Sequence, residues 1–343
     1  MKKVFALFPA LVMATSLLSG CGQEPADSST SSAASAEKTA DQLQIVTTIF
    51  PEYDWVRQLM GDKAEDAEIT LLLDNGVDLH SYQPTADDLV KISNCDLFVY
   101  VGGESDAWVE DALKNVKNQN MKVINLLDVL GNSVKVEEAV EGMQAEEEEA
   151  HDHSNAGSAA EAEEPEYDEH VWLSLKNAQV LCNAIADALE EIDPDNKDTY
   201  SANATAYTKK LSDLDAEYQS AVKNGARKTI LFGDRFPFRY LVDDYGLTYY
   251  AAFVGCSAET EASFETVSFL AKKVDELKLP CVLTIEGAKH QIAETIVKNT
   301  TEKDQKILTM DSMQSTTSDD VKNGETYLSV MEKNLSVLKE ALA

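Results

Sequence analysis

Asp96-Leu97-Phe98-Val99-Tyr100-Val101-Gly102-Gly103 reads as a buried strand that stops on two glycines. Its apolar run leaves no polar face, so both faces need cover, as in a parallel sheet. The flanking sequence supplies that cover. Helical patterns are expected at 86–93 and 106–117, and further strands at 43–50, 68–73 and 122–126. A helix at 52–60 is closed by Gly61. Strand and helix alternate, which points to an α/β lobe with a largely parallel sheet.

The same alternation returns later, with strands expected at 228–232, 247–253, 281–285 and 306–310 and helices at 238–245, 264–277, 289–300 and 327–342. Between the blocks lies a helix at 175–192, broken at Pro194. A long helical pattern at 200–223 then runs without Pro or Gly until Gly225. The expected fold class is α/β: two similar lobes with largely parallel sheets, joined by one long rigid helix. The N-terminal lobe is expected at 43–195, the linking helix at 196–225 and the C-terminal lobe at 226–343. A chain of 343 residues exceeds what one core usually holds, in keeping with two lobes. The stretch 137–169 is acidic, rich in Ala and Ser, and too poor in apolar residues to order itself. It is expected to be a mobile loop.

Lys2 and Lys3 precede an apolar stretch, 4–18, that is short for a membrane span. Residues 1–20 therefore read as an export signal. Leu18-Ser19-Gly20-Cys21 resembles a bacterial lipobox, which implies cleavage before Cys21 and lipid attached to it. The alternatives are an uncleaved membrane anchor and a plain signal with an incidental Cys. Residues 21–42, rich in Ser, Ala and Thr, suit a flexible tether. Of the other cysteines, Cys95 and Cys182 fall in one half and Cys256 and Cys281 in the other. They are either paired within lobes or buried free thiols.

Lys and Arg number 29 against 61 Asp and Glu, a formal net charge of −32. Phosphate contacts need a basic surface, so no nucleic-acid partner is expected. Such a chain attracts cations. Its histidines are only five, so each can be weighed. His80 lies in Asp78-Leu79-His80-Ser81-Tyr82-Gln83-Pro84, after a strand and before a helix, where α/β sheets gather ligands. His170 stands in Asp168-Glu169-His170-Val171-Trp172-Leu173, where the acidic stretch returns to order. Neutral imidazoles from two separate loops suit zinc or manganese in a cleft between lobes. His290 reads as a surface residue, and Trp55, Tyr82 and Trp172 as packing near the cleft.

From about Leu43 onward the chain resembles the metal-binding receptors of bacterial zinc and manganese ABC importers. His80 to Pro84 is similar to that family's Pro-His-x-Tyr-x-Pro segment, with Leu79 in place of Pro. Asp168 to Asn177 is similar to Asp-Pro-His-Val-Trp-Leu-Asp-Pro-x-Asn, with Glu169 for Pro and Ser174 for Asp. The segments from Gly102 to Trp108 and from Gly324 to Asn334 fit as well. The resemblance implies a lipid-anchored receptor on the extracytoplasmic face of the cell membrane. It would be a monomer that captures Zn2+ and hands it to an ABC permease and its ATPase. Two other readings stay open: a manganese receptor of the same family, and a surface adhesin with a structural metal. No enzymatic activity is expected, since His-Glu-x-x-His, Gly-x-Ser-x-Gly and Walker patterns are missing from the sequence.

The resemblance also implies ligands from the second lobe. Asp311 follows the last strand, where the family places a carboxylate. At the position of the family's third His or Glu stands Arg235, which stays protonated and cannot ligate. Asp234 beside it is either a donor or an ion-pair partner of Arg235; Cys256, Glu259 or water are the remaining fillers. His151 and His153 in the acidic stretch either gather metal weakly or belong to a solvated insert.

Overall fold

The computed structural model describes residues 42–144, 166–257, 261–287 and 289–343. The expected signal, tether and Cys21 lie outside these residues, as do Glu259, His151 and His153. Strand β1 (Gln44–Thr47) sends Ile45 and Val46 into the core and leads into helix α1 (Phe50–Met60). Pro51 sits in the first turn, where its missing N–H costs nothing. Glu52 turns back to accept the backbone N–H groups of Thr48 and Ile49. Gly61, at φ 57°, ends the helix.

β2 (Glu68–Leu71), α2 (Ala86–Asn94), β3 (Leu97–Tyr100), α3 (Trp108–Leu113), β4 (Lys122–Asn125) and α4 (Leu126–Leu130) continue the alternation. The sheet order is β2-β1-β3-β4, and every pair is parallel. Leu97, Phe98 and Val99 are fully buried, as a strand covered on both faces requires. Helix α3 is shorter than the sequence pattern suggests, because Asp106 turns to accept the N–H of Gly102 instead of joining the helix.

After α5 (Leu175–Ile192) comes α6 (Lys197–Asn224), whose 28 residues span about 42 Å at 1.5 Å each. Tyr200, Ala204, Tyr207, Leu211, Leu214, Tyr218 and Val222 form its buried stripe, spaced three or four apart as one helix face demands. The second lobe runs β5 (Thr229–Arg235), α7 (Arg239–Tyr245), β6 (Thr248–Phe253), α8 (Phe264–Leu277), β7 (Cys281–Thr284), α9 (Gln291–Asn299) and β8 (Lys306–Thr309). Its sheet is again parallel, in the order β6-β5-β7-β8. Two four-stranded α/β lobes joined by a long helix are the architecture the sequence suggests.

After α10 (Ser318–Lys322), α11 (Tyr327–Ala341) returns to the first lobe. The backbone N–H of Tyr327 donates to Asp54 of α1 at 3.0 Å, and its hydroxyl donates to the carbonyl of Trp172 at 2.6 Å. Its ring meets Trp55 edge-on. Tyr218 of α6 donates to the carbonyl of Met331 at 2.6 Å. The last helix therefore ties α1, α6 and the second lobe into one core.

The acidic stretch is narrower as a loop than expected. Residues 137–144 run along the second lobe and are held there. Gln144 donates its N–H to Ala252 and accepts that of Ser263, Arg239 pairs with Glu138, and Lys273 pairs with Glu141. Val140 and Met143 add apolar contact. The composition argument fails here because these two side chains and four anchors suffice for a short segment lying on an existing surface. Cys95, Cys182, Cys256 and Cys281 are all free thiols, so within-lobe pairing is not realised. Among the described residues, no helix is long and apolar enough to cross a membrane.

Candidate metal centre

The carboxyl ends of the two sheets supply the site. His80 follows β2 in a short 3-10 turn that Asp78 opens, accepting the N–H of His80 at 3.1 Å. His170 precedes the turn Val171–Leu173, and Ser174 then caps α5. The two imidazoles meet with Nε2 atoms 3.2 Å apart.

The other edge of each ring is occupied. His170 Nδ1 donates to Asp168 Oδ1 at 3.0 Å, and the same oxygen accepts the backbone N–H of His170. His80 Nδ1 lies 2.8 Å from Ser105 Oγ and 3.4 Å from Glu169 Oε2. Ser105 in turn gives its N–H to Glu169 Oε1 at 2.9 Å. Burial raises the Glu169 carboxyl, but hydrogen bonds from His80 and Ser105 outweigh it and hold it below the usual range. A Cβ on Gly103 would stand 2.3 Å from Glu169 Oε1, and φ there is 81°, so only glycine admits this carboxylate.

Asp168 fixes the His170 tautomer with hydrogen on Nδ1, and His80 takes the same form when Ser105 Oγ or Glu169 accepts from its Nδ1. With hydrogen on both Nδ1 atoms, both Nε2 atoms carry lone pairs, and the lone pairs face each other. A pair so arranged is satisfied by a shared cation. Two nitrogens bound to one tetrahedral zinc at 2.0–2.1 Å sit about 3.3 Å apart. The observed separation of 3.2 Å is that edge. Carboxylates behind ligating histidines, which orient the ring and raise its basicity, are a recurrent feature of metal sites.

A third donor joins from the second lobe. His80, His170 and Cys256 form the one group of three or more His, Cys, Asp or Glu among the described residues whose ligand atoms lie within 4.8 Å of one another. Cys256 follows β6, and its backbone N–H donates to Glu137 at 3.0 Å. Burial, reinforced by Glu137, Asp168 and Glu169, pushes its thiol well up. Sequence reading undervalued this residue, because nothing in Gly255-Cys256-Ser257 announces its neighbours. In the structure a Cβ on Gly255 would meet His170 Cε1 at 3.1 Å and Phe236 O at 3.0 Å.

Asp311 and Asp234 do not join that group. Asp311 follows β8, accepts the N–H of Met313 at 2.7 Å through its carboxylate, and binds the side-chain amide of Asn334 through its own backbone N–H and carbonyl. Burial and the nearby Glu286 carboxylate push it up to about 7. Next to it, the Ser312 carbonyl accepts from Trp172 Nε1 at 2.9 Å, so the Asp311 loop is pinned two residues from His170. Asp234 spends both oxygens on backbone N–H groups, of Arg235 and Ile285. Arg235 forms its ion pair across the cleft with Asp78 rather than with Asp234. Trp55 and Trp172 are fully buried and Tyr82 nearly so, all three packing as expected. His290 is half-buried at the N-terminus of α9.

Comparison with known families is decisive. The family model for the zinc-uptake complex component A, periplasmic (ZnuA), matches residues 45–341. The chain belongs to this family. Among its relatives, the zinc-binding lipoprotein AdcA of Streptococcus pneumoniae is 34% identical over 313 residues, 90% of this chain. The chain spans 58% of the length of that relative. The high-affinity zinc uptake system protein ZnuA of Bacillus subtilis is 29% identical over 326 residues, covering 95% of this chain and 94% of its own. The Zn(II)-bound ZnuA-like domain of S. pneumoniae AdcA superposes with a TM-score of 0.66 at 31% identity, covering 88% of this chain and 99% of that one. The ZnuA-family fold thus accounts for both lobes and the helix between them.

Proposed function

We propose that this chain is an extracytoplasmic receptor that captures Zn2+ and delivers it to an ABC permease and its ATPase. The observation that carries this reading is the pair of Nε2 atoms 3.2 Å apart, each ring with a carboxylate at its other edge. Zinc is the cargo. His80 and His170 hold it from the first lobe, and Asp311 meets it from the second through the oxygen not used by Met313. A bound dication would also supply the charge that Asp311, buried beside Glu286, lacks. Asp234 shapes the β5 loop in this reading and does not ligate.

The names of the AdcA and ZnuA relatives support zinc over manganese. Capture needs no chemistry on the ion, so the chain is a binding protein and not an enzyme. The lipobox-like segment ending at Cys21 supports a lipid anchor and a place at the outer face of the cell membrane. The chain acts as a monomer, since one chain carries both halves of the site. A second reading, an adhesin with a structural metal, draws on a structural neighbour described as the laminin-binding adhesin Lmb of Streptococcus agalactiae, 25% identical with a TM-score of 0.68.

Calorimetric titration of the metal-stripped protein with zinc and manganese tests the proposal, on wild type, His80→Ala and His170→Ala. One tight zinc per chain, lost in both variants, is the expected outcome. No zinc binding by a folded wild type would overturn the receptor reading. Unfolding on mild chelation would favour the structural-metal reading.

A further inference from the structure

We propose that the Cys256 sulfur is a metal ligand, filling from the second lobe the place that Arg235 cannot, and that it makes the site select zinc over manganese. This rests on the receptor reading above and specifies its ligand set.

Geometry carries the inference. The sulfur and one ring nitrogen of each histidine lie within 4.8 Å of one another. A tetrahedral zinc with Zn–N of 2.0–2.1 Å and Zn–S of 2.3 Å places sulfur about 3.5 Å from each nitrogen. From separations of up to 4.8 Å, closing to that distance calls for a rearrangement of Cys256 and the rings on the order of 1 Å or more.

Three further features keep the sulfur there. Gly255 lies against the His170 ring, where a Cβ would stand 3.1 Å from Cε1, so the loop approaches the imidazole closely. Glu137 anchors the loop through the Cys256 backbone N–H. Arg235 cannot ligate, and Asp78 draws its guanidinium to the first lobe, which leaves the second lobe's side of the histidine pair to the thiol.

The chemistry follows. As the sulfur–zinc bond forms, the S–H proton leaves to solvent, and the thiolate balances part of the ion's charge. Thiolate is a soft donor that favours zinc, whereas manganese prefers carboxylate and water. Asp311, which lies outside this group in the structure, would bring the set to two imidazoles, one thiolate and one carboxylate by a movement of its loop.

Cobalt(II) substitution tests this directly on the full chain in detergent. A sulfur-to-cobalt charge-transfer band in the near ultraviolet is expected for wild type, absent from Cys256→Ser. The buried thiols Cys95, Cys182 and Cys281 remain in both proteins as controls. The variant should bind zinc more weakly by more than the roughly 10–100-fold that losing an outer hydrogen-bond partner costs. Its manganese affinity should stay unchanged, so selectivity falls. Cobalt bound without the band, or zinc bound equally tightly by Cys256→Ser, would overturn the thiolate assignment and leave the receptor reading intact. No cobalt or zinc bound by wild type would overturn both. The wild-type spectrum stands by itself if the variant fails to fold.

Discussion

Arg235 of the second lobe and Asp78 of the first form an ion pair beside the histidines, and the other oxygen of Asp78 holds the backbone N–H of His80. One carboxylate thus couples lobe closure to the position of a proposed ligand. Burial raises the Asp78 carboxyl, but Arg235 more than reverses this and holds it below the usual range. A depressed carboxyl contributes stability above its unfolded pKa and loses it as pH falls through the folded one. Arg235→Gln should therefore cost about 1–3 kcal/mol at pH 7, measured by urea unfolding. The gap to wild type should narrow below about pH 4, as Asp78 becomes protonated. Equal unfolding midpoints at pH 7 would show that the pair contributes nothing.

The Glu169 carboxylate backs the His80 ring. Glu169→Gln keeps the shape and removes the charge. Zinc affinity should fall about 10–100-fold with one ion still bound per chain. Competition with a chromophoric chelator measures it, and unchanged affinity would leave the orientation of His80 to Ser105 alone.

Asp106 is buried at the end of β3, with Glu169 nearby, and its carboxyl is pushed up to about 7, chiefly by burial. A raised carboxyl contributes stability that is fully present below its unfolded pKa and is lost as pH rises through the folded one. For Asp106 that window runs from about pH 4 to about pH 7. Asp106→Asn keeps an acceptor for the Gly102 N–H and cannot ionise. It should gain a few kcal/mol on wild type, on the order of 2–4, between pH 4 and pH 8. Thermal melts across that range check this; parallel melting curves for the two proteins would refute it.

Tyr327→Phe strips the buried carbonyl of Trp172 of its donor while keeping the ring against Trp55. The expected cost is about 1–3 kcal/mol of unfolding free energy with zinc stoichiometry unchanged. A neutral result would mean that water replaces the hydroxyl.

The sheets were legible because each strand is a short apolar run bounded by glycine, proline or a helix signal. Helices α5 and α8 match their expected bounds to the residue, since Ser174 and Ser263 cap them through local sequence. The acidic segment was misread because order in 137–144 comes from partners far away in sequence, such as Ala252 and Ser263. The site divides in the same way. His80 and His170 stand in segments with their own pattern, and the structure brings them together. Cys256 approaches them only through the folding of the second lobe on the first, which no local pattern reports. The partner of Arg235 lies 157 positions away and was equally hidden.

Helix α6, helix α11 and the segment 137–144 each touch both lobes. Such triple bracing leaves little angular freedom for the lobes to part. Loading and unloading would then be played out in the loops at the rim, by breaking the Asp78–Arg235 contact and swinging the Cys256 turn. A transporter docked on this chain would sense a full receptor through the stiffness and shape of a few surface turns, not through a hinge angle. Metal release would be a local prying of one lobe's donors away from an imidazole pair that stays in place.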